Sequence, residues 1–354
     1  MEKSSTKLQG YLGEHFSESR HRIEFMSRFI LSLIKVKTVN LTQIALAFNG
    51  QVKSASNYRR IQRFFEGFSL DKQAISQWLI AQLPEGRLVL CLDRTNWKFG
   101  KVDINILALG VAYKGTAIGL VWVFLPKFGN SNQQERIELF EQLLKWFPVK
   151  RIKVVLADRE FIGKDWFGFL MEHKIKFHIR LRENMLAELE TDDTQHLRVF
   201  FADLKTGQHL TLHHRYRICG QILAVTGMKL EGGELLIIVT NSNPKHSLDY
   251  YAQRWEIEML FAALKTTGFD LETTHLNQVQ RIDTLLALLM LALVWAHRIG
   301  ETLHASVTPI KRKKHGHLAQ SFFRYGLDYL RSILLHLPLK QSDFRWALSL
   351  LSCT

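Results

Sequence analysis

The sequence predicts an α/β protein in which a mixed-sheet core carries a β-rich insertion and is flanked by a helical region at each end. Three observations lead to this fold class. Two apolar runs, in LVLCLDRT and RIKVVLADREF, are each followed directly by an aspartate. Short apolar runs of this kind are typical of buried strands. Apolar side chains recur every three or four positions before residue 82 and again after residue 247, which indicates amphipathic helices. A chain of 354 residues is long enough for two or three domains.

The charge balance of the chain points to a polyanionic partner. The 47 Lys and Arg residues outnumber the 33 Asp and Glu residues, giving a formal net charge of +14, which suits nucleic acid or an anionic membrane surface. The apolar stretch at 285–296 is shorter than the roughly 20 residues of a bilayer span. The N-terminus MEKSSTKLQGYLGEHF lacks a signal peptide's apolar segment, and three scattered cysteines make neither a disulfide framework nor a zinc pattern. We therefore expect a cytoplasmic protein that binds nucleic acid and no membrane.

Residues 1–82 are predicted to form a helical DNA-binding domain. Asn40 is a candidate N-cap for the segment LTQIALAF, and a further helix covers NYRRIQRFFEGFS. A basic helix face suits contact with DNA phosphates, although a solvated helix face would explain the same charges. The candidate DNA contacts on this helix are Arg59, Arg60 and Arg63.

The central part of the chain reads as three strands, a helix, a strand, a helix and a strand. The strands are LVLCLDRT, VDINILALGVAY, AIGLVWVFL, RIKVVLADREF and IKFHIRL, with helices near 132–147 and 164–173. This order is that of a ribonuclease-H-like core, a mixed sheet with helices on its faces.

Short strand-like segments with glycine-containing turns follow, so a β-rich insertion is expected before the chain returns to helix. The predicted strand segments are LRVFFADL, HLTLHHRYRI, QILAVTGMKL and ELLIIVTN. One long helix, stopped by Gly268, is then expected over LDYYAQRWEIEMLFAALKTTGF. The resulting division is a core at 83–182, the insertion at 183–240, the rest of the core at 241–300 and a C-terminal helical region at 301–354.

Three acidic residues are candidate metal ligands. Asp93 and Asp158 end two apolar strands that are neighbours in the proposed fold, and Glu258 lies on the following helix. Carboxylates brought together repel one another unless divalent cations neutralise them, and hard oxygen ligands favour Mg²⁺ or Mn²⁺. Two such ions would clamp a phosphodiester. Singly, Asp93 could cap a turn, Asp158 could pair with Arg159, and Glu258 could be a helix surface acid.

The helix that carries Glu258 also presents an aromatic residue and two cations. Tyr251, Arg254, Glu258 and Lys265 are spaced so that a regular helix places all four on one stripe. An acid between two cations suits a DNA strand, with the acid binding metal and the cations binding flanking phosphates. An ordinary Arg–Glu pair on a solvated helix would explain only Arg254 and Glu258.

The spacing Y-x2-R-x3-E-x6-K in this helix resembles the YREK signature of the IS-four family of bacterial insertion-sequence transposases, to which the Tn-five transposase also belongs. CLDRT and ADREF resemble the blocks that carry that family's two aspartates. The position of the β-rich insertion, the N-terminal NYRRIQRFF and the C-terminal RYGLDYLRSILL are similar to the corresponding regions of the family.

The resemblance implies that Asp93, Asp158 and Glu258 form a DDE triad and that Tyr251, Arg254 and Lys265 grip phosphates of the transposon end. It implies metal-dependent cleavage at terminal inverted repeats, strand transfer into target DNA, and a homodimer working in a bacterial, nucleoid-associated setting. Some relatives pass through a hairpin and trap an extruded base on an aromatic residue. The insertion offers Phe200, Phe201 and Tyr216 as candidates for that role.

Two other functions fit the same residues. A ribonuclease-H-like nuclease would need the metals but would not transfer strands, and a silent transposase-derived protein would bind DNA without cutting it. The basic run Lys311, Arg312, Lys313 and Lys314 is expected to contact phosphates, although in a eukaryotic host it would also suit a nuclear signal.

Overall fold

The computed structural model describes residues 2–48, 52–100, 102–189, 193–314 and 316–352. The N-terminal region is helical, as predicted, and Asn40 caps the third helix by accepting hydrogen bonds from the backbone N–H groups of Thr42 and Gln43. The helices are α1 (Glu2–His15), α2 (Arg20–Val36), α3 (Leu41–Ala47), α4 (Ser54–Gly67) and α5 (Lys72–Ala81).

A mixed sheet follows, with the order of strands and helices expected from the sequence. Its first five strands lie in the order β3-β2-β1-β4-β5; β1, β4 and β5 are parallel, and β2 is antiparallel to both of its neighbours. The bounds are β1 (Leu88–Phe99), β2 (Val102–Val111), β3 (Ile118–Phe124), α6 (Gln133–Leu144), β4 (Ile152–Ala157), α7 (Lys164–Glu172) and β5 (Phe177–Leu181).

The β-rich segment extends this sheet. β11 pairs antiparallel with β5, and β10 pairs with β11, so the segment continues the sheet from the edge strand of the core. The strands are β6 (Leu186–Glu188), β7 (Thr194–His196), β8 (His209–Thr211), β9 (Tyr216–Ile218), β10 (Gln221–Lys229) and β11 (Leu235–Thr240).

The strand predicted within LRVFFADL is wrong, because Leu197–Phe201 forms a 3₁₀ helix. Leu197 and Phe201 are both buried in it. The Phe201 ring lies over Gly227 on β10 so closely that a β-carbon there would come within 2.6 Å of it. The packing of Phe201 on β10 therefore outweighs the strand propensity of the segment VFF, and a 3₁₀ helix forms.

The rest of the chain is helical. The one helix predicted before Gly268 is two, α8 (Ser247–Gln253) and α9 (Trp255–Lys265), followed by α10 (Val279–Ser306), α11 (Phe322–Leu335) and α12 (Gln341–Ser352).

The apolar stretch expected at 285–296 is the middle of the 28-residue helix α10. By length and composition α10 could cross a bilayer, and the bent pair α2–α3 passes the same test, but 89% of the most apolar window of α10 is buried inside the protein. The helix therefore forms part of the core.

Two glycines allow α10 and α11 to pack with their backbones in contact. A β-carbon on Gly300 would lie 1.8 Å from the carbonyl oxygen of Phe322, and one on Gly326 would lie 1.7 Å from that of Ala296. Such distances leave no room for any side chain at either position.

A histidine of α10 makes the stability of the fold depend on pH. His297 is fully buried beside the rings of Tyr113 and Phe322, and neither of its ring nitrogens has a hydrogen-bond partner among the described residues. Burial lowers the pKa of His297 from 6.5 to about 4, against the opposing charge of Glu301. Between these two values the unfolded chain binds a proton that the folded chain does not, so stability falls as the pH falls through this window.

Replacing His297 by leucine removes this proton linkage. We expect the free energy of unfolding of His297→Leu, relative to the wild type, to rise by about 1.4 kcal/mol for each pH unit below 6.5. Urea unfolding of both proteins at pH 7 and pH 5 measures this difference. A difference that does not change with pH would show that His297 keeps an ordinary pKa in the folded protein.

Candidate active site

Asp93 and Asp158 occupy matching positions on adjacent parallel strands. The pairing of β1 with β4 ends at Leu92 and Ala157, and each aspartate is the next residue. The expectation that Asp93 ends its strand is wrong, because β1 continues to Phe99 through its antiparallel pairing with β2. The strand pair nevertheless brings the two carboxylates to the same edge, as predicted.

The Asp158 carboxylate accepts hydrogen bonds from two groups. The backbone N–H of Arg159 donates to it at 2.7 Å and the Tyr251 hydroxyl donates to it at 3.1 Å. The guanidinium of Arg159 pairs with Glu234 at 2.9 Å. The alternative that Asp158 pairs with the Arg159 side chain is therefore wrong. Tyr251, on α8, holds the Asp158 carboxylate in place instead.

Asp93 is largely buried, and this changes its acidity. Its carboxylate accepts the backbone N–H of Arg94 at 2.7 Å and lies 3.5 Å from a guanidinium nitrogen of Arg254. Burial raises the pKa of Asp93 to about 7, assisted by the charges of Glu258 and Asp158 and opposed by the Arg94 hydrogen bond and by Arg254. A carboxylate in this setting favours an added positive charge.

The junction between α8 and α9 lies at Arg254. This residue keeps right-handed helical dihedral angles, φ −55° and ψ −32°. The backbone hydrogen bonds on either side of it, however, join residues that are three positions apart, whereas those of an α-helix join residues four apart. Arg254 N donates to Tyr251 O at 3.0 Å, and Ile257 N donates to Arg254 O at 3.2 Å. The helix tightens here, and on either side of the junction Tyr251 still reaches Asp158 while Arg254 reaches Asp93 and Glu258.

Arg254 lies between two of the three acids. Its Nη2 is 2.5 Å from Glu258 Oε1, while Nη1 approaches Asp93 Oδ2. The Arg–Glu pair considered in the sequence exists, but it is not on a solvated helix face, since Arg254 is only 9% exposed. The guanidinium offsets part of the negative charge of the site.

Lys265 is also engaged within the protein. Its ammonium group donates to Thr95 Oγ1 at 3.2 Å and to the carbonyl oxygen of Asn96 at 3.1 Å, and it pairs with Glu272 at 2.6 Å. Lys265, at the end of α9, therefore contacts the same strand as Asp93, on the Phe99 side of that aspartate. Its contact with DNA phosphate stays a prediction.

The donor set fits a hard divalent cation, although the carboxylates are not gathered around one point. Within the described ranges, no group of three or more His, Cys, Asp or Glu side chains is close enough to hold a metal ion. The reason is geometric, because the Arg254 guanidinium lies between Asp93 and Glu258. The fit is one of ligand type, because carboxylate oxygens are the ligands that Mg²⁺ and Mn²⁺ prefer.

Sequence reasoning missed a set of polar side chains that hold the segments next to Asp93 and Asp158 in place. Arg94 pairs with Glu160 through Nε and Nη2, at 2.9 and 3.2 Å. The buried Arg136 donates to the carbonyl oxygens of Glu160 and Ile162 at 3.0 and 2.9 Å. Arg94 and Glu160 lie within the CLDRT and ADREF blocks, so the motifs themselves could have suggested that these two residues belong to the site. No motif in the sequence pointed to Arg136.

The other predicted DNA contacts lie on two separate surfaces. On α4, Arg59 and Arg63 are exposed, whereas Arg60 is half-buried near Glu24 at 3.6 Å. The basic run at 311–314 is exposed, and a β-bridge joins Arg312 to Leu318. Both surfaces are accessible to a polyanion.

Of the insertion aromatics, Phe201 is buried and Phe200 packs on Tyr216 with ring centroids 5.0 Å apart. Phe201 is therefore not available to trap an extruded base.

The comparison with known families identifies a protein of the DDE type. Residues 84–295, more than half of the chain, match the family described as "Transposase DDE domain", and the protein belongs to this family of transposases. Among solved structures, a cryo-EM structure of the piggyBac transposase synaptic complex with hairpin DNA is similar, with a TM-score of 0.46, 10% sequence identity, and coverage of 92% of this chain and 76% of that one. No curated protein matches this chain.

Proposed function

We propose that this protein is a cut-and-paste transposase of the IS-four type, which cleaves DNA at the ends of its element and joins those ends to target DNA. One observation carries the proposal. Asp93 and Asp158 follow paired residues of adjacent strands, and Arg254 links Asp93 to Glu258. Membership of the transposase family supports the reading of these acids as a DDE triad.

Asp93, Asp158 and Glu258 would hold the metal ions, two Mg²⁺ or Mn²⁺. When bound, such ions supply activation of a water or a 3′-hydroxyl and stabilisation of the departing oxygen. The partly buried position of Asp93, with a pKa raised to about 7, supports this role, because an added cation would keep its carboxylate ionised.

The remaining residues of the motif position the acids and meet the DNA backbone. The Tyr251 hydroxyl orients Asp158, and Arg254 orients Glu258. Arg254 and Lys265 place positive charge on either side of Glu258 along α9, where phosphates flanking the scissile bond would lie. Charge on both sides of the acid favours a strand bound along this helix.

The DNA partners would be the terminal inverted repeats and a target duplex, bound by a homodimer that pairs two ends in the bacterial nucleoid. The net charge of +14 and the exposed basic groups of α4 and of residues 311–314 support broad contact with the phosphate backbone. Base contacts would come from other side chains, since phosphate contacts carry no sequence information.

The test is the reaction of purified protein with labelled DNA that carries the native element's ends, with and without Mg²⁺ or Mn²⁺. Metal-dependent release of the element, joining to a target plasmid, and loss of both in Asp93→Asn is the expected result. Cleavage without joining would make the protein a nuclease. Binding without cleavage under either metal would make it a silent DNA-binding protein.

A further inference from the structure

The edge of the sheet opposite the acids carries five exposed lysines. Asp93 and Asp158 lie just beyond one end of the β1–β4 pairing. At the other edge β4 and β5 begin, and β11 ends there because it is antiparallel to β5. The exposed lysines, together called the lysine edge, are Lys150 before β4, Lys153 in β4, Lys174 and Lys176 before β5, and Lys245 after β11.

Hydrogen bonds hold the segments of the lysine edge side by side. The backbone N–H of Val155 donates to the carbonyl oxygen of Lys176 at 2.8 Å, so the chain before β5 lies against β4. Asn241, directly after β11, donates to the carbonyl oxygen of Ile175 at 2.9 Å and accepts from the backbone N–H of Phe177 at 3.1 Å. Neighbouring strands are about 4.8 Å apart, so the three strand ends span about 10 Å.

The charges of the lysine edge are not neutralised within the protein. In the part of the chain that the structure describes, no salt bridge joins any of the five lysines to a carboxylate. The acids closest to them in sequence are Glu172 and Asp249, both exposed, and Asp249 lies 3.4 Å from His246. Lys153 lies over the Tyr250 ring, 5.3 Å from its centroid, and keeps its charge. Like charges this close repel one another, so an anionic partner is favoured.

The spacing of these charges suits a DNA duplex. Duplex DNA carries one negative charge for about every 1.7 Å of its axis, so an edge of about 10 Å faces about six phosphates. A small anion would engage only one or two of the five lysines. Lysine ammonium groups act as point charges toward phosphate, and contacts with phosphate carry no sequence information.

A duplex at the lysine edge must be a different DNA segment from the one at the acids. Lys153 and Asp158 are five positions apart along β4 and beyond it, which corresponds to about 17 Å of extended chain, and they lie at opposite edges of the sheet. DNA is stiff over about 150 base pairs, so one short duplex cannot turn from one edge to the other.

We infer that the lysine edge is a second DNA-binding surface, which holds a duplex other than the one at Asp93, Asp158 and Glu258 through its phosphates. This inference rests on the proposed function, because it takes an element end to occupy the acids. Since phosphate contacts have no sequence preference, the surface would hold any neighbouring stretch of DNA while the acids hold the end.

The test is the binding of a short, fluorescently labelled duplex of unrelated sequence to the full chain already saturated with unlabelled element ends. Anisotropy is measured in EDTA, so that no cleavage occurs. We expect the wild type and Lys174→Arg/Lys176→Arg to bind this second duplex. Lys174→Gln/Lys176→Gln should bind it about tenfold more weakly, and its slope of log affinity against log salt should be smaller by about two. The affinity for element ends alone should be the same for all three proteins.

Lys7→Gln/Arg345→Gln is the matched control, because it also removes two exposed charges, from α1 and α12, and it should bind the second duplex as the wild type does. An equal loss in this control, or no loss in Lys174→Gln/Lys176→Gln, would overturn the inference and leave the proposed function standing. A wild type that binds element ends but no second duplex would do the same. Failure of the wild type to bind element ends would overturn the proposed function and the inference together.

Discussion

Replacing Glu258 by glutamine is expected to abolish DNA cleavage while leaving DNA binding intact. The amide keeps the size of the side chain and a hydrogen-bonding oxygen for Arg254, 2.5 Å away, but it removes the negative charge that a metal ligand needs. We expect the cleavage rate to fall by at least about a thousandfold, or about 4 kcal/mol of transition-state stabilisation. Cleavage of labelled element ends and gel-shift binding of the same DNA measure the two properties.

The matched control for this variant is Glu141→Gln, which changes an exposed glutamate on α6 and should cleave as the wild type does. If Glu258→Gln also lost DNA binding, the variant would be misfolded or Glu258 would have a different role. Unchanged cleavage would remove Glu258 from the triad.

Replacing Gly326 by alanine is expected to have the largest effect on stability. The added β-carbon would lie 1.7 Å from the carbonyl oxygen of Ala296 and 2.6 Å from the backbone nitrogen of Gly300. Because both neighbours are backbone atoms of α10, the helices must separate, and overpacking of this kind costs about 3 kcal/mol. Urea unfolding followed by circular dichroism measures the loss.

Gly10→Ala tests whether that loss comes from the helix contact. Gly10 also lies within a helix, α1, but a β-carbon there would meet nothing within 4 Å. Alanine is the better helix former, so this variant should gain about 0.5–1 kcal/mol. Similar losses in both variants would argue against a close crossing of α10 and α11.

The sequence was informative where one strong local pattern decides the structure. The apolar runs before Asp93 and Asp158 required buried strands, and the order of elements placed those strands side by side. The point at which β1 ends could not be predicted, because the segment after Asp93 is polar and its strand conformation depends on pairing with β2. An aspartate that seems to end a strand can lie inside it when one neighbouring strand is longer than the other.

The burial of Arg254 against the acids could not be predicted from the sequence, for a different reason. Helical spacing correctly put Tyr251, Arg254 and Glu258 on one stripe, but it could not show that the stripe faces inward. In the structure the Arg254 guanidinium is buried against Asp93 and Glu258. Burial of a charged side chain depends on tertiary contacts, and the helical spacing of residues in the sequence does not predict those contacts.

The pairing of β1 with β4 is what brings Asp93 and Asp158 together as the chain folds. It joins segments that are far apart in the chain, so it must overcome a large loop-closure entropy before its contacts form. Asp93, Asp158 and Glu258 belong to three different parts of the chain, and no hairpin or helix formed early brings two of them together. A nascent or partly folded chain therefore holds isolated carboxylates, and the three acids come together only in the finished fold.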